Sequence, residues 1–366
     1  MTNNHSCYNM DLLSACWMVR SLDQAVSAIS FDLDSNLVAG GWDGQIKKWD
    51  CEGDVIWTQN LPDRISEIIF YQDKVIVASG LHIVCLDSNS GEVEWQNPLE
   101  GSADSLLVKS EQIYATSSVY DIEHNDFLES AIWAFDLLGE QNWVTKMNER
   151  PWFILSYDEE VIVGLGRPIS GWAQISSDGK ITNHSLKTDS PVMCGVKASN
   201  GILFGHADGT ITSLQEIHNK FSNSVESISA TDEIVVACLE GGDLVAYKDQ
   251  NNQIWAEQGS PISCQSIGFS IPNSVTHWST RWSGVEGSLQ VRNLSDGTII
   301  AQSQISQTRC MASNESRVAI GAEDGNIHVW QNEMFARRLD SGEDKEGQQS
   351  SEKKALKDRL RALRNK

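Results

Sequence analysis

Short apolar runs alternate with polar positions along most of the chain, and small or polar turn residues separate these runs. The stretch Val84–Trp95, VCLDSNSGEVEW, shows the pattern: a strand-like run ends at Asp87, a turn closes on Gly91, and a second strand-like run follows. Alternation of this kind between turn residues is typical of β-strands rather than helices. We therefore predict an all-β protein.

The strand–turn–strand unit centred on a tryptophan recurs along the chain. Trp57 and Trp95 are 38 residues apart, and Trp143 follows 48 residues later. Clear copies with a tryptophan are Gly53–Phe70, Gly91–Val108, Gly139–Ser156 and Asn251–Phe269, and weaker copies without one are Asp178–Val196 and Asp296–Ser313.

A second recurring unit lies between these copies and consists of an apolar strand, a turn containing glycine and an alternating strand. Asp-Gly between two such runs is a strong hairpin signal, because both turn positions need positive φ. A period near ~40 residues with four short strands in each repeat predicts the blades of a β-propeller. The examples are Leu37–Asp50, Ile202–Leu214, Val235–Tyr247 and Val318–Trp330.

The repeats predict an eight-bladed ring over residues 15–339, preceded by an extension at 1–14. Seven blades are the alternative, if one of the weak repeats Pro191–Ser224 and Val225–Ser260 is an irregular insertion. Either an N-terminal outer strand or Glu333–Leu339 completes the last blade, and the sequence leaves both open. The predicted innermost strands lie near Val26–Phe31, Ile65–Tyr71, Ser105–Lys109, Trp152–Tyr157, Val192–Val196, Val225–Ala230, Ser263–Phe269 and Thr308–Ala312.

Composition narrows the class of protein further. The 366 residues carry a net charge of −22, which disfavours binding of nucleic acid phosphates by the ring and fits either high internal salt or a basic partner. No apolar run approaches the ~20 residues of a membrane-spanning helix. The N-terminus has no basic start followed by an apolar block, so we expect a cytoplasmic protein. We also expect it to be monomeric. The 8 cysteines are scattered singly, without a CxxC pair, and are expected to act as small apolar residues.

The tryptophan unit resembles the repeat of quinoprotein-type (PQQ-like) β-propellers, as in Leu86–Trp95 (LDSNSGEVEW) and Phe135–Trp143 (FDLLGEQNW). By contrast, Val38–Asp50 (VAGGWDGQIKKWD) and Ala319–Trp330 (AIGAEDGNIHVW) resemble the third-strand element of WD40 repeats. The quinoprotein resemblance implies a disulfide between adjacent cysteines, a calcium site and a catalytic aspartate. This chain has no adjacent cysteines and is shorter than those enzymes, so their chemistry does not transfer to it.

A search for catalytic motifs finds no GxSxG, no glycine-rich phosphate loop and no HExxH. Asp43, Asp208 and Asp324 each precede a glycine, and turn chemistry accounts for them. We therefore predict no catalytic residues, no metal ligands and no cofactor. The recurring tryptophans are expected to pack between blades.

Long or aromatic connections are predicted to meet on one rim of the ring. They are the Asp-Gly turn after Trp42 and the segments Val119–Ser130, Gly166–Trp172 and Thr276–Gly287. Tryptophan and arginine are enriched at interaction hot spots, which makes this rim a predicted partner-binding surface. Its candidate residues are Trp42, Phe127, Arg167, Trp172, Trp278, Arg281 and Trp282.

The character of the chain changes after Leu339. Residues 340–352 are polar and acidic, which predicts a disordered linker. Residues 353–366 carry net charge +6, against −24 for residues 1–339, and place three leucines on one helical stripe. We predict a short basic helix that makes a second partner contact through Leu356, Arg359, Leu360, Arg361, Leu363 and Arg364.

These observations predict a non-enzymatic scaffold that binds a protein partner on the loop-rich face of a propeller. Two alternatives stay open. One is a cofactor-binding enzyme of quinoprotein type, and the other is a protein associated with nucleic acid or ribonucleoprotein through its basic tail.

Overall fold

The computed structural model describes residues 11–343 except 124–125, 200, 250–251 and 273. Over these residues the chain forms thirty-two strands in eight antiparallel sheets of four strands each. The innermost strands of neighbouring sheets contact one another around a ring. The predicted eight-bladed β-propeller is therefore confirmed, and both weak repeats are complete blades.

Strands are numbered in chain order, and each blade runs from an innermost strand outward. The innermost strands are β2 (Val26–Phe31), β6 (Ile65–Tyr71), β10 (Ser102–Lys109), β14 (Pro151–Tyr157), β18 (Val192–Ala198), β22 (Val225–Ala230), β26 (Ile262–Ile271) and β30 (Thr308–Ser313). The second strands are β3 (Leu37–Gly41), β7 (Lys74–Ser79), β11 (Gln112–Asp121), β15 (Glu160–Leu165), β19 (Gly201–His206), β23 (Val235–Leu239), β27 (Ser274–Trp282) and β31 (Arg317–Ala322).

The two outer positions complete each sheet. The third strands are β4 (Gln45–Trp49), β8 (His82–Asp87), β12 (Asp126–Asp136), β16 (Gly171–Ile175), β20 (Thr210–Thr212), β24 (Leu244–Tyr247), β28 (Gly287–Asn293) and β32 (Asn326–Gln331). The outermost strands are β5 (Val55–Asn60), β9 (Val93–Pro98), β13 (Gln141–Met147), β17 (Ile181–His184), β21 (Ile217–Lys220), β25 (Gln253–Glu257), β29 (Ile299–Ile305) and, in the eighth blade, β1 (Met18–Ser21).

In four blades the second strand is buried over its whole length. Every residue of β3, β19, β23 and β31 is buried. Each sheet is packed between two neighbours, so both faces of this strand avoid water and the apolar run is continuous. The outermost strand β9 instead alternates exposed and half-buried residues, as expected at an edge.

The recurring tryptophans join one blade to the next. The indole Nε1–H of Trp57 donates to the Ser88 carbonyl oxygen at 3.0 Å, and that of Trp255 donates to the Leu294 carbonyl oxygen at 2.8 Å. Each ring lies flat on a turn glycine: a Cβ on Gly297 would come within 2.5 Å of Trp255. The structure therefore gives these tryptophans the packing role predicted from sequence, because each indole buries its ring and satisfies its N–H together.

The N-terminal segment closes the ring. β1 pairs with β32, with Met18 opposite Val329 and Ser21 opposite Asn326. The competing segment Glu333–Leu339 instead lies in the helix α1 (Asn332–Glu343). Phe335 of this helix is fully buried against the seventh blade. α1 continues through residues 340–343, so the linker boundary expected after residue 339 falls inside a helix.

The connections sort onto two faces. The loop-rich face carries the links between second and third strands and those between successive blades. The opposite face carries the remaining turns together with α1 and the 3₁₀ turn Leu13–Ala15. The Arg338 guanidinium of α1 donates a hydrogen bond to the Ser14 carbonyl oxygen in this turn. No helix within the described ranges is long and apolar enough to cross a membrane.

Candidate functional site

Every innermost strand carries a bulge near the end that meets the loop-rich face. The register of each innermost strand against its neighbour skips one residue near the start of the strand, for example between Pro151 and Phe153 and between Val192 and Cys194. A β-bulge leaves the extra residue unpaired and redirects its side chain. The skipped residues here are Trp152 and Met193.

Trp152 forms one side of an aromatic stack around an arginine. The Arg150 guanidinium lies 3.6 Å from the centre of the Phe127 ring and 4.0 Å from the centre of the Trp152 ring. Phe127 also packs edge-on against Tyr120 at 5.0 Å. These two residues belong to the long β11–β12 hairpin, which rises beside the connection that carries Arg150. Cation–π contacts with these two rings hold the guanidinium in place.

The stack borders a cavity of about 990 Å³ on the loop-rich face, between the β11–β12 hairpin and the fourth and fifth blades. We call this cavity the cleft. Its lining is Phe127, Asn148, Arg150, Trp152, Arg167, Pro168, Pro191, Met193 and Ala207.

The cleft is cationic. Its lining contains Arg150 and Arg167 but no carboxylate. Within the described part of the chain neither guanidinium forms an ion pair or a hydrogen bond, and the Arg150 Nε is buried without a partner. Burial lowers the pKa of Arg150, and the Asp104 carboxylate acts in the opposite direction. Arginine remains charged at neutral pH, so a guanidinium positioned by two rings is available to an anionic group.

Asp104 is the bulged residue of the third blade and lies near both Arg150 and Arg64. It accepts a short hydrogen bond from the Ser118 hydroxyl. Burial raises the pKa of this carboxyl, whereas the Ser118 hydrogen bond and the two arginines lower it. The Asp104 carboxylate thus offsets part of the positive charge of the two arginines, although it forms no ion pair with either one in the described structure.

A second aromatic–arginine contact lies across the loop-rich face from the cleft. Trp42, 42% exposed, stands in the turn after β3, with the Arg64 guanidinium 4.6 Å and the Arg309 guanidinium 5.9 Å from the indole ring. Arg309 also pairs with Glu323 at 3.2 Å. Trp42, Phe127 and Arg167 therefore lie on the loop-rich face.

Other predicted rim residues are not on an exposed loop. The segment Thr276–Gly287 is mostly strand, since β27 runs to Trp282 and β28 starts at Gly287. Trp278 is fully buried and its ring packs against Trp330 and Phe335. The predicted rim position of Trp278 is wrong because its side chain fills the space between the last two blades and α1.

Arg281 is likewise a buried structural residue, 5% exposed. Its guanidinium donates to the carbonyl oxygens of Gly242 and Ser260, both at 2.6 Å, and pairs with Glu257 at 3.2 Å. Glu257 also pairs with Arg292. The predicted rim position of Arg281 is therefore wrong, because the side chain turns inward to join the sixth and seventh blades.

This buried ionic group includes a neutral histidine. His277 is fully buried, and its Nε2 lies 3.0 Å from Gln265 Oε1. Burial lowers the pKa of His277 to about 3, and the charges of Arg292 and Arg281 act in the same direction. The histidine is uncharged near neutral pH and serves the packing of the blade.

Trp172 and Trp282 hold intermediate positions. Trp172 is the second residue of β16, stacks on His184 at 4.2 Å and packs in the core between the fourth and fifth blades. It therefore lies inside a strand rather than on the predicted loop. Trp282 ends β27, is half-buried, and its backbone N–H donates to the Pro261 carbonyl oxygen. The predicted tail residues, Leu356, Arg359, Leu360, Arg361, Leu363 and Arg364, lie outside the described residues.

Sequence reasoning missed Arg150, Trp152 and Met193. The signal was present in the repeat: Arg64 and Arg150 each occupy the residue directly before an innermost strand, in "DRISEI" and "ERPWFI". Links between blades open onto the loop-rich face, so this repeat position could have been added to the rim.

Within the described residues no three His, Cys, Asp or Glu side chains are grouped closely enough to hold a metal ion. The described cysteines are free thiols. Burial raises the pKa of Cys194 and of Cys238 to about 12, which keeps both thiols protonated and unreactive near neutral pH.

Two families match overlapping parts of the chain. Residues 42–188 match the family described as outer membrane protein assembly factor BamB, and residues 17–50 match the WD domain, G-beta repeat. The matches agree with the PQQ-like and WD40-like repeats predicted from sequence. No curated protein sequence matches the chain.

Solved propeller structures share the fold at low sequence identity. BamB from Moraxella catarrhalis is 14% identical, with a TM-score of 0.68 over 86% of this chain and 97% of that one. Sqt1 from Saccharomyces cerevisiae is 10% identical, with a TM-score of 0.70 over 87% and 99%. The C-terminal WD40 domain of Sif2 is 13% identical, with a TM-score of 0.66 over 85% and 97%. The protein is thus an eight-bladed β-propeller in which residues 17–188 match PQQ-like and WD40-like repeats.

Proposed function

We propose that this propeller is a non-enzymatic, monomeric cytoplasmic scaffold that binds a protein partner on its loop-rich face, with the basic C-terminal segment as a second contact. The observation that carries the proposal is the exposed aromatic and arginine surface around the β11–β12 hairpin. Tyr120 and Leu128 of that hairpin are exposed, as is Ile169, which follows Pro168 beside the cleft; Trp42 is exposed across the same face. Exposed apolar residues beside arginines are characteristic of protein interaction sites.

The two faces of the ring provide the test. A photo-crosslinking amino acid replaces Ile169, which is 57% exposed on the loop-rich face, or the fully exposed Leu33 on the opposite face. Both variants are expressed in the native host and irradiated. We expect a discrete crosslinked protein from position 169 and none from position 33. Crosslinking from position 33 alone, or from neither position, would contradict the proposal.

A further inference from the structure

The cleft combines an anchored cation with an apolar floor. Phe127 and Trp152 hold the Arg150 guanidinium, which has no ion pair or hydrogen bond in the described part of the chain. Arginine carries five N–H donors and pairs most strongly with a carboxylate in a bidentate arrangement. The Arg150 guanidinium is therefore free to pair with an anionic group of a ligand.

Charge identifies the class of that acceptor. The chain carries net charge −22, yet the cleft lining contains two arginines and no carboxylate. The nearby Asp104 carboxylate lies outside the lining and offsets the charge of Arg150 in part, so the two arginines leave the lining positively charged. An anionic group of the ligand is the complementary partner for Arg150 and Arg167.

The remaining lining shows what must accompany the anionic group. Pro168, Pro191 and the half-buried Met193 form an apolar surface beside the arginines. A methionine side chain adapts to varied apolar shapes. A ligand that fills the cleft therefore presents an apolar side chain next to its negative charge.

A polynucleotide fits these features less well than a peptide. Each nucleotide adds a negative charge that the strongly acidic ring repels, and two arginines neutralise only a few phosphates. An acidic residue in a peptide brings one carboxylate and leaves its neighbours free to be apolar. Bidentate pairing of arginine with a carboxylate also supplies orientation.

We propose that the cleft binds a short peptide segment of the partner in which an aspartate or glutamate adjoins a bulky apolar residue. The carboxylate pairs with Arg150 and Arg167, and the apolar side chain packs on Met193, Pro168 and Pro191. This inference rests on the proposed scaffold function and specifies how the partner is recognised.

Selection from a random peptide library displayed on phage tests the proposal with the full chain as bait. We expect the enriched peptides to contain an acidic residue beside an apolar one. A labelled synthetic copy of one such peptide should bind Arg150→Gln and Arg167→Gln about 10- to 100-fold more weakly than the unmodified protein. Arg337→Gln is the matched control, because Arg337 is an exposed residue of α1 on the opposite face.

Several outcomes would overturn the proposal: no enrichment, enriched peptides that lack acidic residues, or binding unaffected by both cleft substitutions. Thermal melting of each variant checks that folding is retained, and the exposed Arg167 keeps the test valid if Arg150→Gln unfolds. If labelled single-stranded RNA binds the protein and Arg150→Gln abolishes that binding, the ligand of the cleft is a polynucleotide rather than a peptide. If position 169 still crosslinks to a partner in the Arg150→Gln variant, the peptide-binding role of the cleft is contradicted, whereas the scaffold function is supported.

Discussion

The Arg281 guanidinium donates a hydrogen bond to the Gly242 carbonyl oxygen at 2.6 Å, across the boundary between the seventh and sixth blades. The same guanidinium reaches Ser260 and Glu257, so one side chain joins three points of the neighbouring blade. Arg281 therefore contributes to the stability of the ring rather than to an exposed rim.

The first prediction concerns this contact. Arg281→Met should lower the free energy of unfolding by about 3 kcal/mol, because it leaves buried carbonyl oxygens without a donor and weakens a buried ion pair. Urea denaturation followed by tryptophan fluorescence measures the change. Arg309→Met is the control: Arg309 and Glu323 form a partly exposed pair, whose loss should cost less than about 1 kcal/mol. If the two variants have the same free energy of unfolding, Arg281 does not stabilise the boundary between the blades, and its assignment as a structural residue is wrong.

The second prediction separates tryptophan packing from backbone strain. Gly297 has φ +73°, and a Cβ there would lie 2.5 Å from the Trp255 ring. Gly284 has φ +92° with nothing within 4 Å of a Cβ. Both alanine variants force a residue with a Cβ into the left-handed region, but only Gly297→Ala also displaces the indole. We expect Gly297→Ala to have a lower melting temperature than Gly284→Ala. The corresponding difference in the free energy of unfolding should be about 1–3 kcal/mol. Coincident thermal transitions would show that this indole does not determine the spacing of the blades.

The third prediction concerns pH. Glu67 accepts a hydrogen bond from the Leu106 backbone N–H at 2.7 Å, linking the second and third innermost strands. Burial raises the pKa of this carboxyl from 4.5 to about 7, although the Leu106 hydrogen bond acts in the opposite direction. The folded state therefore holds a proton that the unfolded chain releases at lower pH. The stability from this group is complete below about pH 4.5 and is lost as pH rises to about 7.

Glu67→Gln should remove that pH dependence, because glutamine keeps an acceptor for Leu106 and carries no charge. Relative to the unmodified protein, the variant should gain about 3 kcal/mol at pH 8 compared with pH 4.5. Urea midpoints measured at both pH values give this difference. If the unmodified protein and the variant respond identically to pH, the Glu67 carboxyl is ionised in the fold and the assigned pKa is wrong.

The fourth prediction concerns the basic segment at residues 353–366. A helix docked in a groove depends on its leucines, whereas a phosphate contact depends on arginines and weakens steeply with salt. Leu360→Asp should abolish partner binding by a labelled peptide of residues 350–366, and Arg361→Ala should weaken it modestly with a shallow salt dependence. Titration against the captured partner and against duplex RNA at two salt concentrations measures both. Tight, salt-sensitive RNA binding that survives Leu360→Asp would favour the nucleic-acid alternative.

The sequence by itself determined the architecture. Turn glycines and tryptophans such as Trp57 and Trp95 recur because every blade must solve the same local problem: a tight hairpin, an alternating strand and an indole seated on the next turn. Short-range signals of this kind survive in each copy, so repetition determined the strand class and the approximate positions of the innermost strands, and it favoured eight blades over seven.

Only the tertiary structure decided which side chains form the candidate site. Trp278 and Arg281 look like loop residues in the sequence, yet burial between blades depends on neighbours contributed by distant repeats. Arg150 was not predicted from the sequence, because its role depends on the rings of Phe127 and Trp152, which only the folded ring and a β-bulge bring next to its guanidinium. The choice of β1 as the closing strand was open for the same reason: pairing with β32 joins residues more than three hundred positions apart, and no local pattern encodes a contact over that separation.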